Sequence, residues 1–134
     1  YTSLVACDFF DAPSRLEPVD AVIAIEVVEH LTGESLRASM DSLESLALNR
    51  VLITVPNPRS PHFYFDPTHV LEYTPKTLLN SLNHSRSFQY SLHGLGFHSH
   101  LTESHSWLKG LESITLRFPA FSPSLMYVGT RVAD

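Results

Sequence analysis

Two glutamates and a histidine follow directly on an apolar run near residue 25. The segment "IEVVEH" (25–30) continues "VDAVIAI" (19–25) and carries Glu26, Glu29 and His30. On a helix these positions are i, i+3 and i+4, so the spacing predicts that the three side chains share one face. One interpretation is a solvated helix start, because carboxylates favour the N-terminal end of a helix. The other is an active-site edge that binds a metal ion or moves a proton.

The elements around this segment predict an α/β fold with a mainly parallel sheet. The run 19–25 is almost continuously apolar, as expected for a parallel strand covered on both faces. Thr32 is predicted to be the N-cap of the first long helix, and Thr74 with Pro75 predicts the start of the second. The further predicted strands are 3–8, 50–56, 88–93 and 125–132, and the predicted helices are 31–48 and 74–82.

Polar residues follow three of the predicted strands. They are Asp8, the segment 26–30, and Pro56 with Asn57. In parallel sheets, ligands bind outside the carboxyl ends of the strands, so we expect these residues at one edge. We also expect strands 3–8, 20–25 and 50–55 to be adjacent and parallel, with 20–25 in the middle. The rigid loop "DPTH" beside this edge favours a catalytic or substrate-facing role for His69.

Composition limits the possible functions. The chain has 134 residues, 43% of them hydrophobic and 17% charged, which is typical of one globular domain. The net charge of −5 and the lack of a Lys/Arg cluster disfavour extensive nucleic-acid contact, although a short contact with an RNA end stays open.

Neither a bilayer-spanning run nor a leader pattern is found, which predicts a cytoplasmic location without membrane association. The single cysteine, Cys7, fits a reducing compartment and is predicted to be an inert thiol in a buried strand.

Four segments resemble, in order, successive blocks of class I S-adenosylmethionine-dependent methyltransferases. They are "CDFFD", "VDAVIAIEVVEHL", "RVLITVPNP" and "DPTHVLEYTPKTLLNSL", and the resemblance covers residues 4–82. The family's glycine-rich cofactor turn has no counterpart, because Gly94-Leu95-Gly96 comes too late and is predicted to be a turn. The resemblance implies a partial Rossmann-like fold with a mainly parallel sheet and an antiparallel final strand. Residues 1–134 would be the C-terminal part of the domain, from its third strand onward.

The resemblance also implies an enzyme that uses S-adenosylmethionine. The methyl acceptor would be an oxygen or nitrogen of a small molecule or glycan. Asp8 and the backbone of Phe9 would contact the adenine of the cofactor, and the strand end Ala24, Ile25 and Glu26 would line its methionine part. Glu29, His30 and His69 would be the catalytic residues.

A comparison within the family adds a second possibility. Methyltransferases of small-RNA 3′ ends hold a divalent ion with Glu-x-x-Glu-His and a distant histidine, which correspond here to Glu26, Glu29, His30 and His69. This ligand set suits manganese, iron or zinc better than magnesium. In other relatives the histidine acts as a base or caps the helix. A third possibility is a non-catalytic interaction module that kept the fold.

Three further features lead to separate expectations. An open sheet edge predicts a homodimer or pairing with a missing N-terminal half. The spacing of His93, His98, His100 and His105 matches no zinc pattern and favours a solvated loop. Phe63, Tyr64 and Phe65 form an aromatic segment for which stacking on a flat acceptor, core packing and a partner contact are all open.

Overall fold

A four-stranded sheet with three α-helices forms the described part of the chain. The computed structural model describes residues 5–7, 9–71, 73–95 and 118–133. The strands are β1 (Val19–Ile25), β2 (Ala47–Pro56), β3 (Phe88–Leu95) and β4 (Ser124–Arg131), and the helices are α1 (Ala12–Arg15), α2 (Gly33–Leu46) and α3 (Pro75–Leu82). Short 3-10 helices span Phe9–Asp11, Val28–His30, Pro61–Phe65 and Pro119–Phe121. The predicted α/β class is therefore confirmed.

The sheet has the strand order β1-β2-β4-β3. β1 and β2 are parallel, whereas β4 is antiparallel to both β2 and β3. Three strands thus run in one direction and the last runs against them, as the resemblance implied. The carboxyl ends of β1 and β2 meet at one edge, where Ile25 pairs with Thr54.

The helices α2 and α3 cover one face of this sheet. Their apolar residues recur at helical spacing. They are buried in one core cluster together with residues of the β-strands. These residues are Leu36, Met40 and Leu43 in α2, and Leu78 and Leu82 in α3. Each buried leucine side chain contributes about 1.5–3 kcal/mol relative to an exposed one.

The predicted helix starts are in the right places. Thr74 and Thr77 form a capping box at α3, in which the Thr74 side chain accepts a hydrogen bond from the Thr77 amide. Thr32 is the N-cap residue of α2, but its hydroxyl contacts Ser35 Oγ at 2.9 Å instead of capping an amide. Helix caps of this kind can be predicted from the sequence, because they depend on residues within one helical turn.

The predictions for the first strands are partly wrong. Residues 5–7, the described part of the predicted strand 3–8, form no strand, and Cys7 is half-buried outside any strand. β1 pairs with β2 as predicted, but it is an edge strand of the described sheet instead of a central one. Ile23 and Ile25 are 61% and 65% exposed, so β1 is not covered on both faces by the described residues. An apolar run indicates that a strand is buried, but it does not indicate which part of the protein packs on that strand.

Asn57 connects the end of β2 to the segment before β4 through hydrogen bonds. Its amide donates to Pro123 O at 2.8 Å, and its side-chain nitrogen donates to Ser122 O at 2.7 Å and Pro119 O at 3.1 Å. Its side-chain oxygen accepts from the Arg59 amide at 3.0 Å. The side chain is buried and all its polar atoms are used, so Asn57 is a structural anchor beside the site. In the part of the chain that the structure describes, no helix is long and apolar enough to cross a membrane.

Candidate active site

The chain turns sharply where β1 ends. The Glu26 amide still donates to Thr54 O at 3.0 Å, so it extends the pairing of β1 with β2. Glu26 itself has φ of 52°, a left-handed conformation that is uncommon outside glycine and is often found at functional sites. A single 3-10 turn, Val28–His30, follows instead of an α-helix. The prediction that Glu26, Glu29 and His30 share one helical face is therefore wrong, because Glu26 precedes the turn.

Glu29 is completely buried. Its side chain is 0% exposed, and neither carboxylate oxygen has a hydrogen-bond partner among the described residues. Burial raises the pKa of Glu29, and the nearby Glu26 carboxylate raises it further, against the lowering effect of its own backbone, His30 and His69. A solvated helix start would leave this carboxylate in water. That interpretation is excluded by the burial.

The backbone of Glu29 brings the two histidines together. Its carbonyl accepts hydrogen bonds from the amides of Val70 and Leu71, both at 3.0 Å, and thereby pins the segment after His69 against the 3-10 turn. The rings of His30 and His69 consequently lie with their centroids 5.0 Å apart. His30 is partly open to solvent at 35% side-chain exposure, whereas His69 is 9% exposed.

Each imidazole is oriented by a backbone carbonyl. Nδ1 of His30 lies 3.1 Å from Thr68 O, and Nδ1 of His69 lies 2.7 Å from Phe63 O. Because a carbonyl oxygen can only accept, the network assigns the hydrogen to Nδ1 in both rings and leaves the Nε2 lone pairs free. The Phe63 ring packs on His69 with centroids 4.9 Å apart, which fixes the plane of that imidazole.

Three of the four predicted metal ligands converge. One donor atom from each of Glu29, His30 and His69 lies within 4.8 Å of the others, and they form a group that is able to hold a metal ion. His30 Nε2 is 3.8 Å from Glu29 Oε1. Glu26 is not in this group, and its carboxylate accepts a hydrogen bond from Thr54 Oγ1 at 3.1 Å. Partial burial raises the pKa of Glu26 in spite of that hydrogen bond and of His69 and His30.

The structure describes only some of the residues that are predicted to contact the cofactor. Asp8 lies outside the described residues, and Phe9 begins the 3-10 helix Phe9–Asp11. Ala24 belongs to the core at 5% exposure, whereas Ile25 and Glu26 are exposed at the end of β1. Their roles toward a cofactor stay predictions.

The remaining histidine and glycine predictions fall mostly in or beyond β3. His93 lies in β3 with Nε2 2.9 Å from Ser91 Oγ, and His98, His100 and His105 lie outside the described residues. Gly94 continues β3 instead of forming the predicted turn, and Gly96 is not described.

Sequence reasoning missed the residues that hold the site together. Thr54 hydrogen-bonds Glu26, Thr68 contacts His30, and Tyr73 donates to Pro56 O beneath the site. The segment "DPT" is a local turn signal, because Asp side chains bond the backbone two residues on. Nothing local indicates that this turn lies against a histidine 38 positions away.

No protein-family model and no curated protein sequence matches the chain. Solved structures do match it. A SAM dependent methyltransferase from Archaeoglobus fulgidus is 22% identical with a TM-score of 0.64, and the alignment covers 94% of this chain and 66% of that one. The methyltransferase domain of bacterial CtHen1-C is 22% identical with a TM-score of 0.66, covering 98% and 62%. The small RNA methyltransferase HEN1 is 15% identical with a TM-score of 0.67, covering 96% and 16%.

These similarities identify the fold. The chain has the class I S-adenosylmethionine-dependent methyltransferase-like fold, as the four sequence blocks implied. It spans less than two thirds of the length of each of the three solved chains. At these identities the likeness concerns the fold, and the chemistry has to be argued from the residues of the site.

Proposed function

We propose that this chain belongs to an S-adenosylmethionine-dependent methyltransferase whose acceptor is held at Glu29, His30 and His69. The observation that carries the proposal is the convergence of one carboxylate and two imidazoles within 4.8 Å at the carboxyl edge of β1 and β2. Ligands of α/β sheets bind at this edge. A methyltransferase fold with such a group suits transfer to an oxygen or nitrogen whose proton has to be removed.

The cofactor would lie along the end of β1. Ile25 and Glu26 are exposed there, which fits a ligand that is partly apolar and carries a positive sulfonium. We assign the methionine part to the strand end Ala24–Glu26 and the adenine to Asp8 and Phe9. When bound, S-adenosylmethionine supplies the electrophilic methyl group. The residues of this chain align the acceptor with it, which is the main contribution of a protein to an in-line displacement.

A divalent ion fits the donor set of the site. The Glu29 oxygens are buried without a hydrogen-bond partner among the described residues, and both imidazoles offer Nε2. One carboxylate and two imidazoles suit manganese, iron or zinc. When bound, such an ion neutralises the buried charge and acidifies an acceptor hydroxyl. Glu29, His30 and His69 would hold it, whereas Glu26, whose carboxylate accepts from Thr54, would lie outside the ligand set.

Without an ion, the histidines act as bases. His30 is the better placed of the two, because its side chain is 35% exposed and its Nε2 faces Glu29. In that role Nε2 of His30 takes the proton from the acceptor, and the Glu29 carboxylate stabilises the imidazolium that forms. General-base catalysis of this kind typically contributes about 10²–10⁴-fold.

The 3′-terminal ribose of a small RNA is the second candidate acceptor. Two exposed aromatic residues after Phe63, whose ring packs on His69, favour this acceptor. Tyr64 and Phe65 are 76% and 75% exposed and offer surfaces for a terminal base to stack on. Two of the similar structures are a small RNA methyltransferase and a bacterial Hen1 domain. The net charge of −5 opposes a long RNA contact, so this candidate is limited to the RNA end.

Methyl transfer by the full-length protein tests the proposal. Transfer of labelled methyl from S-adenosylmethionine is measured for the wild type, His30→Ala, His69→Ala and the control Leu48→Ala, an exposed residue at the opposite end of β2. We expect activity to fall at least about 10²-fold in the two histidine variants and to be unchanged in the control. Single-stranded RNA ending in a free or a 2′-O-methylated ribose separates the RNA acceptor from small molecules. Full activity in both histidine variants would contradict the proposal.

A further inference from the structure

We infer that Asp66 and Thr68 are positioning residues that fix the orientation and tautomer of His30, so that its Nε2 faces Glu29 and His69. This inference deepens the proposed function, on which the use of His30 rests. The tautomer itself is a property of the folded chain and is measurable without cofactor, metal or acceptor.

Asp66 holds Thr68 by two hydrogen bonds. Its Oδ1 accepts from the Thr68 amide at 2.8 Å and from the Thr68 hydroxyl at 2.6 Å. The backbone and the side chain of Thr68 thus donate to the same carboxylate oxygen of Asp66. A carboxylate can only accept. The hydroxyl hydrogen of Thr68 therefore points at Asp66.

Thr68 in turn presents two acceptors to one ring nitrogen. Nδ1 of His30 lies 3.0 Å from Thr68 Oγ1 and 3.1 Å from Thr68 O. The hydroxyl hydrogen is already used by Asp66, and a carbonyl has none to give. Both contacts are satisfied only when His30 carries its hydrogen on Nδ1.

The chain Asp66–Thr68–His30 then ends at the buried carboxylate. His30 Nε2 keeps its lone pair and lies 3.8 Å from Glu29 Oε1. Histidine ligands and bases commonly depend on such a partner at the second nitrogen, and its loss typically costs about 10–100-fold in metal affinity. The same turn supplies His69, so one short segment sets both imidazoles.

Long-range proton–nitrogen NMR of the imidazole rings tests the inference directly. Spectra are recorded at about pH 8, where an unperturbed imidazole is neutral, and His30 is identified by His30→Gln. We expect Nδ1–H in the wild type and a shift toward Nε2–H in Asp66→Ala, because both anchors of Thr68 are lost. Thr68→Val should shift less, since the carbonyl remains, whereas Thr68→Ser and Asp66→Asn should resemble the wild type. The control is Thr130→Val, an exposed threonine at the far end of β4.

A wild-type His30 with its hydrogen on Nε2, or an unchanged tautomer in Asp66→Ala, would overturn the inference. A second measurement follows Mn²⁺ alone by electron paramagnetic resonance. We expect the Kd to rise roughly 10–100-fold in Asp66→Ala and to stay unchanged in Thr130→Val. A wild type that binds no Mn²⁺ contradicts the metal part of the proposed function, while the NMR result still decides the positioning role.

Discussion

Glu29 is the residue that distinguishes this site from an ordinary polar turn. A carboxylate that is fully buried, with no hydrogen-bond partner in the described part of the chain, is costly because burial disfavours the charged form. Carboxylates with pKa values perturbed by burial cluster at functional sites. The sequence predicts Glu29, His30 and His69 as site residues through their types and order. It did not predict the burial of Glu29, because no local pattern indicates that Val70 and Leu71 lie against this turn, where their amides donate to the Glu29 carbonyl.

The raised pKa of Glu29 predicts how stability depends on pH in the metal-free chain. The folded state holds the proton more tightly than the unfolded state does, so the group favours folding at low pH. Its contribution is complete below the ordinary value of 4.5 and is lost as pH rises through the raised folded pKa. Thermal unfolding with chelator present should therefore show a stability loss over this interval that is absent in Glu29→Gln.

Glu29→Gln should also raise the thermal midpoint of the metal-free chain near pH 7, because it removes a buried charge and keeps the shape. Glu17→Gln is the matched control, since Glu17 is exposed and the same charge is lost. A lowered midpoint in Glu29→Gln with an unchanged pH profile would show that the carboxylate is not carrying a buried charge.

At the scale of elements, local patterns predicted the helices and the strand β1, but they did not predict the complete order of the strands in the sheet. The buried leucines of α2 and α3 and the Thr74 cap followed from helical spacing and capping chemistry, and the bounds of β1 followed from its apolar run. The antiparallel insertion of β4 between β2 and β3 depends on pairings far apart in sequence. The 3-10 turn at Val28–His30 was missed because its pattern resembles the first turn of a helix.

Gly129 in β4 illustrates such a long-range constraint. A Cβ at this position would lie 2.6 Å from the ring of Tyr90, whose hydroxyl is tied to Glu44 Oε1 at 2.9 Å. Gly129→Ala should therefore destabilise the chain by about 1–3 kcal/mol in denaturant unfolding. Gly33→Ala is the control, because a Cβ added to Gly33 would meet no described atom within 4 Å. Equal effects of the two substitutions would contradict the packing of β4 against β3.

The hydrogen bonds of Asn57 lead to a second prediction, which concerns the stability of the sheet. Asn57→Ala removes the donors to Ser122 O and Pro119 O and the acceptor of the Arg59 amide. We expect a loss of about 1–3 kcal/mol in denaturant unfolding, because buried backbone groups lose their partners. Asn80→Ala in α3 is the control, since Asn80 is exposed. A loss no larger than that of the control would show that Asn57 does not anchor β2.

At the scale of the whole molecule, β1 leaves a strand edge and apolar side chains uncovered by the described residues. Val19, Ile23 and Ile25 are 47%, 61% and 65% exposed. Open apolar strand edges pair with other chains. We therefore propose that this edge pairs with a second copy or with a further part of the same domain.

Sedimentation of this chain tests whether the edge of β1 pairs with a second copy. We expect association that increases with concentration and that weakens in Ile23→Lys, because a charge on an edge strand opposes pairing. Val132→Lys is the control, since Val132 is exposed beyond the end of β4. A monodisperse monomer at high concentration would contradict this proposal without affecting the site.

A Mn²⁺ titration followed by electron paramagnetic resonance tests most directly whether Glu29, His30 and His69 form one metal site. We expect one bound ion per chain, lost in Glu29→Gln and in His69→Ala. Binding should persist in Glu26→Gln, because the carboxylate of Glu26 bonds Thr54 and lies outside the cluster. Absence of binding in the wild type, or undiminished binding in His69→Ala, would contradict the claim.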